Sequence, residues 1–216
     1  MRKLAVAGFL ALSSSVAFAA APSLLDSTSG PIFPAFYIGA QLGYGAMNYS
    51  KSQVKKDFSK NGITITSVGS ITDSGFAGRI LFGYGFNKYI AAEAGYLWLP
   101  KVKIKKLTDG TTTANESFSE NAADLVIKGT LPFDNGFGIF AKAGAGFVHR
   151  DSAKFTSGGV TAKAYSSSNK TVPVLGAGAQ YYWTNNFYND ISYTHYFKSG
   201  SLRAIDFVAL GFNYQF

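Results

Sequence analysis

Two histidines, 12 carboxylates, 20 basic residues and no cysteine bound the chemistry open to this 216-residue chain. Without cysteine there is no thiol nucleophile, disulfide framework or thiolate-bound metal. His149 has Asp151 and Ser152 beside it, but successive residues of a strand alternate faces and do not form a triad. His195 lies in Tyr193-Thr194-His195-Tyr196-Phe197, with no serine two residues on; Ser199 is four residues away. The histidines stand 46 positions apart without clustered carboxylates, which is not a metal-binding pattern. Both read as interfacial, aromatic-like residues. No catalytic residue, metal or cofactor is therefore expected. Two other charge patterns remain: isolated charges within uncharged segments (Arg79, Glu93, Lys128, Lys142 and Asp190) and basic residues crowded into polar connections.

The segments that carry the isolated charges are strands. Val208, Leu210, Phe212, Tyr214 and Phe216 are apolar at a spacing of two, with Ala209, Gly211, Asn213 and Gln215 between them. The same period runs through residues 36–45, 76–86 and 90–98, and less cleanly through 122–131, 138–148, 172–182 and 187–197. Eight segments of about ten residues have the length of tilted transmembrane strands. Charged residues are only 15% of the chain, below the ~25% of soluble domains, so the surface cannot be wholly wet. No run after residue 20 approaches the ~20 apolar residues of a membrane helix.

Tight turns at residues 85–88, 132–136 and 183–186 alternate with long polar stretches near 49–74, 99–121 and 149–171 and a short one at 198–203. Short turns at one end and long loops at the other predict an all-β fold. It is an eight-stranded antiparallel up-and-down transmembrane β-barrel, with short periplasmic turns and long extracellular loops. A soluble barrel would place the bulky face inside; here the other face is small, polar and unable to clothe a wet surface. Lipid also leaves no open strand edge satisfied, so the sheet must close. Met1-Arg2-Lys3, the apolar residues 4–12 and Ala17-Phe18-Ala19 read as an export signal cleaved after Ala19. The expected division is a signal peptide at 1–19, a periplasmic segment at 20–35 and the barrel at 36–216, in the outer membrane of a Gram-negative bacterium.

Parity turns Arg79, Glu93, Lys128, Lys142 and Asp190 inward. An eight-stranded barrel is just wide enough to be filled by side chains, so these charges must pair. They form either a static polar plug that fixes register, the favoured reading, or a switchable water path.

Phe36-Tyr37-Ile38-Gly39-Ala40-Gln41-Leu42-Gly43-Tyr44 resembles the opening strand of the outer membrane protein A (OmpA) transmembrane domain. Residues 89–99, with Glu93 at their centre, resemble its third strand. Val172-Pro173-Val174 with Gly176, Gly178 and Gln180 resembles its sixth. The resemblance runs from about residue 35 to Phe216, without the family's periplasmic peptidoglycan-binding domain. It implies that Glu93 and Lys128 occupy positions of an internal salt-bridge gate. Asp190 stands where the family has the gate arginine, and Arg79 could supply the missing guanidinium. The resemblance also implies that the terminal Phe216 is read by the barrel-assembly machinery, although it would equally serve as a lipid-facing aromatic. Outer-membrane lipid A deacylases carry a serine two residues after a strand histidine; Phe197 replaces it here.

Fourteen of the 18 basic residues beyond the signal crowd the outer rim. Lys51, Lys55, Lys56 and Lys60 lie in the first long loop, Lys101, Lys103, Lys105 and Lys106 flank the second, and Lys154 and Lys163 lie in the third. Strand-end lysines read as snorkelling to lipid phosphates, and mid-loop lysines as solvated. A cationic rim attracts anionic partners such as lipopolysaccharide or a host-cell receptor or glycan. Nothing resembles a nucleic-acid reader. The leading expectation is a structural and surface-interaction protein whose loops form an adhesion or host-contact surface. A narrow pore gated by Glu93, Arg79 and Lys128 is the alternative, and a lipid hydrolase ranks last.

Overall fold

The computed structural model describes residues 31–60, 64–108, 113–157, 160–165, 167–200 and 202–216. The expected signal peptide and most of the segment at 20–35 lie outside the described residues. In chain order the strands are β1 (Ala35–Met47), β2 (Ser67–Thr72), β3 (Ser74–Gly85), β4 (Ile90–Trp98), β5 (Val102–Thr108), β6 (Thr113–Phe118), β7 (Glu120–Pro132), β8 (Phe137–Arg150), β9 (Ala153–Ser157), β10 (Val160–Tyr165), β11 (Ser168–Tyr182), β12 (Phe187–Tyr196) and β13 (Ile205–Gln215). One helix, α1 (Lys51–Lys60), follows β1.

Eight of these strands close into a barrel in the order β1-β13-β12-β11-β8-β7-β4-β3, and β3 pairs with β1 to complete the ring. Every neighbour is antiparallel, as an up-and-down meander requires. Alternation is the cause. Along β13, Ile205, Phe207, Ala209, Asn213 and Gln215 are buried, while Val208, Leu210, Phe212 and Tyr214 are about half exposed on the outer wall. The wall is thus an apolar band of Ile, Leu, Phe and Tyr, suited to acyl chains.

The long connections are not simply polar. Those between β1 and β3 and between β4 and β7 contribute β2, β5 and β6 to one three-stranded sheet, and the connection after β8 forms the β9–β10 hairpin. Strand β6 lies alongside β9. Helix α1 starts at a serine N-cap: Ser50 Oγ accepts the Gln53 N–H at 3.4 Å and donates to Gln53 Oε1 at 2.9 Å. Val54 and Phe58, one turn apart, are fully buried with Ile65, Val68, Ile104, Leu107, Phe118 and Leu202. That cluster continues into the barrel through Met47, Leu97, Val148, Ile205 and Phe207. The sequence pattern concealed this cap, because its described apolar residues are scattered over three connections.

Candidate functional site

All five charges expected to face inward do so. Arg79, Glu93, Lys128, Lys142 and Asp190 are at most 5% exposed, and Asp124, also 5% exposed, joins them. Its parity matches that of Lys128 on the same strand, so Asp124 was detectable in the sequence. Three cations thereby face three carboxylates in this part of the lumen.

Arg79 makes its best contact with Asp124, not Glu93. Its Nε and Nη2 donate to the two Asp124 oxygens at 3.0 and 2.5 Å, a bidentate pair, and Tyr196 OH adds a donor at 2.7 Å. Arg79 Nη1 donates to Gln41 Oε1 at 3.1 Å and lies 3.7 Å from Glu93 Oε2. The guanidinium fits because Gly95 has no side chain: a Cβ there would lie 2.4 Å from Arg79 Nε. Gly83 likewise leaves space for the Tyr37 ring, 2.1 Å from where its Cβ would be.

Lys128 and Lys142 stand directly opposite one another across β7 and β8. Like charges in that position repel unless a counter-charge sits between them. Glu93 supplies it, 3.6 Å from each Nζ, and accepts the Tyr37 hydroxyl at 3.0 Å. The Lys128 ammonium also lies 4.4 Å from the centre of the Phe140 ring. Asp190 has no cation within salt-bridge distance among the described residues. Gln41 and Asn213 amides donate to it at 2.8 and 2.7 Å. The expected substitution of Arg79 for a guanidinium at position 190 is therefore only partial: Arg79 reaches Glu93 weakly and commits to Asp124.

A second charged junction ties the cap to the barrel mouth. Tyr49 OH donates to Glu120 Oε1 at 2.5 Å, Glu120 pairs in register with Arg150, and Arg203 Nη2 donates to Asp57 Oδ2 at 2.6 Å. These residues come from the first long connection, the short fourth one and the strand ends beside the other two. Their sequence separation hid the junction.

On the outer wall, His195 faces lipid only in part. Asp206 lies directly across the β12–β13 pair and contacts His195 Nδ1 at 2.6 Å, Tyr193 OH at 2.5 Å and Asn48 Nδ2 at 2.7 Å. The Phe197 ring packs edge-on against the imidazole, with centroids 4.6 Å apart. His149 contacts Asn169 and lies 3.2 Å from Asp151 Oδ1.

The basic residues of the cap divide. Lys51, Lys56, Lys101, Lys103, Lys105 and Lys106 are exposed. Lys55 departs from the expected solvated surface: half-buried, it donates from Nζ to the Thr66 carbonyl at 2.5 Å and ties α1 to the start of β2. The side chains of Lys60, Lys154 and Lys163 lie outside the described residues. Three carboxylates of the cap and barrel mouth turn the other way, with Glu116 and Glu120 buried and Asp57 held by Arg203, while Asp151 stays exposed beside His149. Phe216 is 70% exposed, its ring 5.3 Å from that of Tyr214, and its N–H donates to the Phe36 carbonyl at 2.9 Å.

The family described as OmpA-like transmembrane domain matches residues 34–216. An uncharacterised protein of Coxiella burnetii is 27% identical, the match covering 88% of each chain. Outer membrane protein A of Yersinia pseudotuberculosis is 25% identical over 73% of this chain, and that match spans only 40% of the longer relative. Among solved structures, Neisserial surface protein A superposes with a TM-score of 0.54 at 16% identity, covering 84% of this chain and 97% of the other. Ail, the attachment invasion locus protein of Yersinia pestis, in complex with the heparin analogue sucrose octasulfate, gives 0.50 at 18% identity, covering 84% and 99%. Both structures share the barrel fold.

Proposed function

The chain belongs to the OmpA-like transmembrane domain family and lies in the outer membrane of a Gram-negative bacterium, and on that premise we propose that its barrel is a rigid mount for an adhesive or host-contact cap. One observation carries the reading. Among the described residues, the first two long connections bury an apolar core together with Glu116, hold Asp57 on Arg203, and leave Lys51, Lys56, Lys101, Lys103, Lys105 and Lys106 outside. A folded cationic platform suits anionic partners: lipopolysaccharide phosphates on the same cell or acidic glycans on another. The Ail structure with a sulfated heparin analogue supports that partner class by analogy of fold. The exposed terminal Phe216 suits recognition by the barrel-assembly machinery. The function is non-enzymatic in this reading, since Phe197 packs on His195 where a serine nucleophile would be needed.

The interior charges act as a static plug in this proposal. Glu93 does have three cations within 3.7 Å, which favours a gate. Against it, Met47, Leu97, Ile205 and Phe207 fill the lumen on the cap side and are fully buried. A water path would have to cross that apolar layer.

Adherence of a harmless bacterium displaying the barrel tests the main reading. Wild type is compared, at matched surface expression, with a form whose three long connections are cut to tight turns. Adherence is expected to fall with the cap. Equal adherence of both forms and an empty strain would remove the reading, and discrete conductance altered by Glu93→Ala would promote the pore.

A further inference from the structure

The β2–β5–β6 sheet has two faces of opposite character. Val68, Val102, Ile104, Leu107, Glu116 and Phe118 are buried beneath it. Above, Ser70 and Thr72 of β2, Lys103 and Lys105 of β5, and Asn115 and Ser117 of β6 are exposed. In register, Lys105 lies beside Ser70, and Lys103 lies between Thr72 and Ser117.

Alternation alone would turn Lys106 inward, opposite Lys105. A register shift between Ile104 and Leu107 prevents this. Lys106 adopts φ of 54°, the only positive φ among the described non-glycine residues. The left-handed conformation is strained for a side-chain-bearing residue. Two features hold it. Asn115 Oδ1 accepts the Lys106 N–H at 3.0 Å, and Gly69 clears the space opposite, where a Cβ would meet the Lys105 carbonyl oxygen and Lys106 Cβ at 2.8 Å. The bulge thus leaves Lys105 and Lys106 both exposed, with Lys103 two residues away. Among the described residues, none of the three makes a salt bridge.

We propose that this face binds a sulfated polysaccharide, with the ammonium groups of Lys103, Lys105 and Lys106 as the sulfate contacts and the hydroxyls of Ser70, Thr72 and Ser117 as hydrogen-bond partners for sugar and sulfate oxygens. The inference rests on the surface-contact reading above and gives that surface a site. Charge complementarity selects a polyanion, because the face has three unpaired cations and no exposed carboxylate among its described residues. Two residues of strand separate Lys103 from Lys105 by about 6.6 Å, so the cations form a line that suits a linear chain with repeated charges rather than one compact anion. No aromatic residue lies on the described face, so it offers no platform for stacking nucleic-acid bases. Each exposed contact is weak and screened by salt; three in a row make the affinity.

The test is dextran sulfate binding to the full barrel in phospholipid nanodiscs free of lipopolysaccharide, with neutral dextran as the blank. K103Q/K105Q/K106Q is expected to weaken binding at least tenfold and flatten its salt dependence. K101Q/K170Q/K198Q removes the same charge from exposed lysines at the strand ends and is expected to change affinity less than threefold. Gly69→Ala keeps every charge but crowds the bulge, and a several-fold loss is expected. Equal losses in both triple variants would reduce the effect to bulk charge and overturn the site, as would full binding by K103Q/K105Q/K106Q with gel mobility unchanged. Cap-dependent adherence that persists in that variant would overturn this site while leaving the surface-contact reading intact.

Discussion

Toward its short turns, the lumen holds Arg79, Glu93, Asp124, Lys128, Lys142 and Asp190 with Tyr37, Gln41 and Asn213; toward the cap it holds Met47, Leu97, Val148, Ile205 and Phe207. The same eight strands build both halves, yet the two bury their contents by different physics. In the polar half each charge needs a partner with good geometry, because an unpaired buried charge costs several kcal/mol. Glycines such as Gly83 and Gly95 yield the space that long side chains need. In the apolar half, dispersion and exclusion of water suffice, and volume-conserving exchanges are tolerated without matched partners. That difference explains how the apolar half continues so readily into the cap: loops can contribute a Phe58 or a Leu107 to an existing apolar cluster without matching partners, whereas the charged junction beside it needs Tyr49 aligned on Glu120 and Arg203 on Asp57.

The contrast can be broken most forcefully in the polar half. Arg79→Met strands Asp124 and removes one of the cations around Glu93, so a loss of about 3–5 kcal/mol is expected in urea unfolding from lipid vesicles, followed by tryptophan fluorescence. Combining it with Asp124→Leu should recover much of that loss, since both members of the pair then go. No recovery would mean that Arg79 serves Glu93 and Gln41 more than Asp124.

A smaller effect separates the apolar half from the cap. Leu97→Ala is expected to cost about 3 kcal/mol in the same unfolding transition, as buried Leu-to-Ala changes do. Phe58→Ala should instead expose α1 to limited proteolysis while leaving the heat-dependent gel shift of the barrel in place. A barrel transition lowered as far by Phe58→Ala as by Leu97→Ala would make cap and barrel one cooperative unit.

The smallest expected effect is pH dependence within the cap. Burial pushes the Glu116 carboxyl up to about 7 from its ordinary 4.5. The folded cap therefore holds a proton that the unfolded chain releases between those values, so cap stability falls as pH rises through that window and is level above it. Protease resistance of the cap should decline from pH 4.5 to 7 in wild type and stay flat in Glu116→Gln. A wild-type profile that rises instead would place Glu116 in a cation's reach.

Much of this molecule was legible before folding. Period-two alternation located all eight barrel strands within a few residues, and parity turned Arg79, Glu93, Lys128, Lys142 and Asp190 to the correct side. The same parity contained Asp124, which escaped notice between Ala122 and Val126. Asp206 was out of reach, because only the β12–β13 register sets it against His195. The cap was equally out of reach: Val54, Phe58 and Val68 come from one connection and Ile104 and Leu107 from another, and no single period links them.

Sequence alone determined which residues meet lipid and which meet the lumen, because side-chain direction along a strand is a local property of the backbone. Tertiary structure alone decided which lumenal charges are partners, that three connections share one core, and that Lys106 joins Lys103 and Lys105 on an open face. Those outcomes depend on register and on packing between segments distant in the chain, where the nearest neighbour in space is set by hydrogen-bonded alignment and volume and not by the residue next in line.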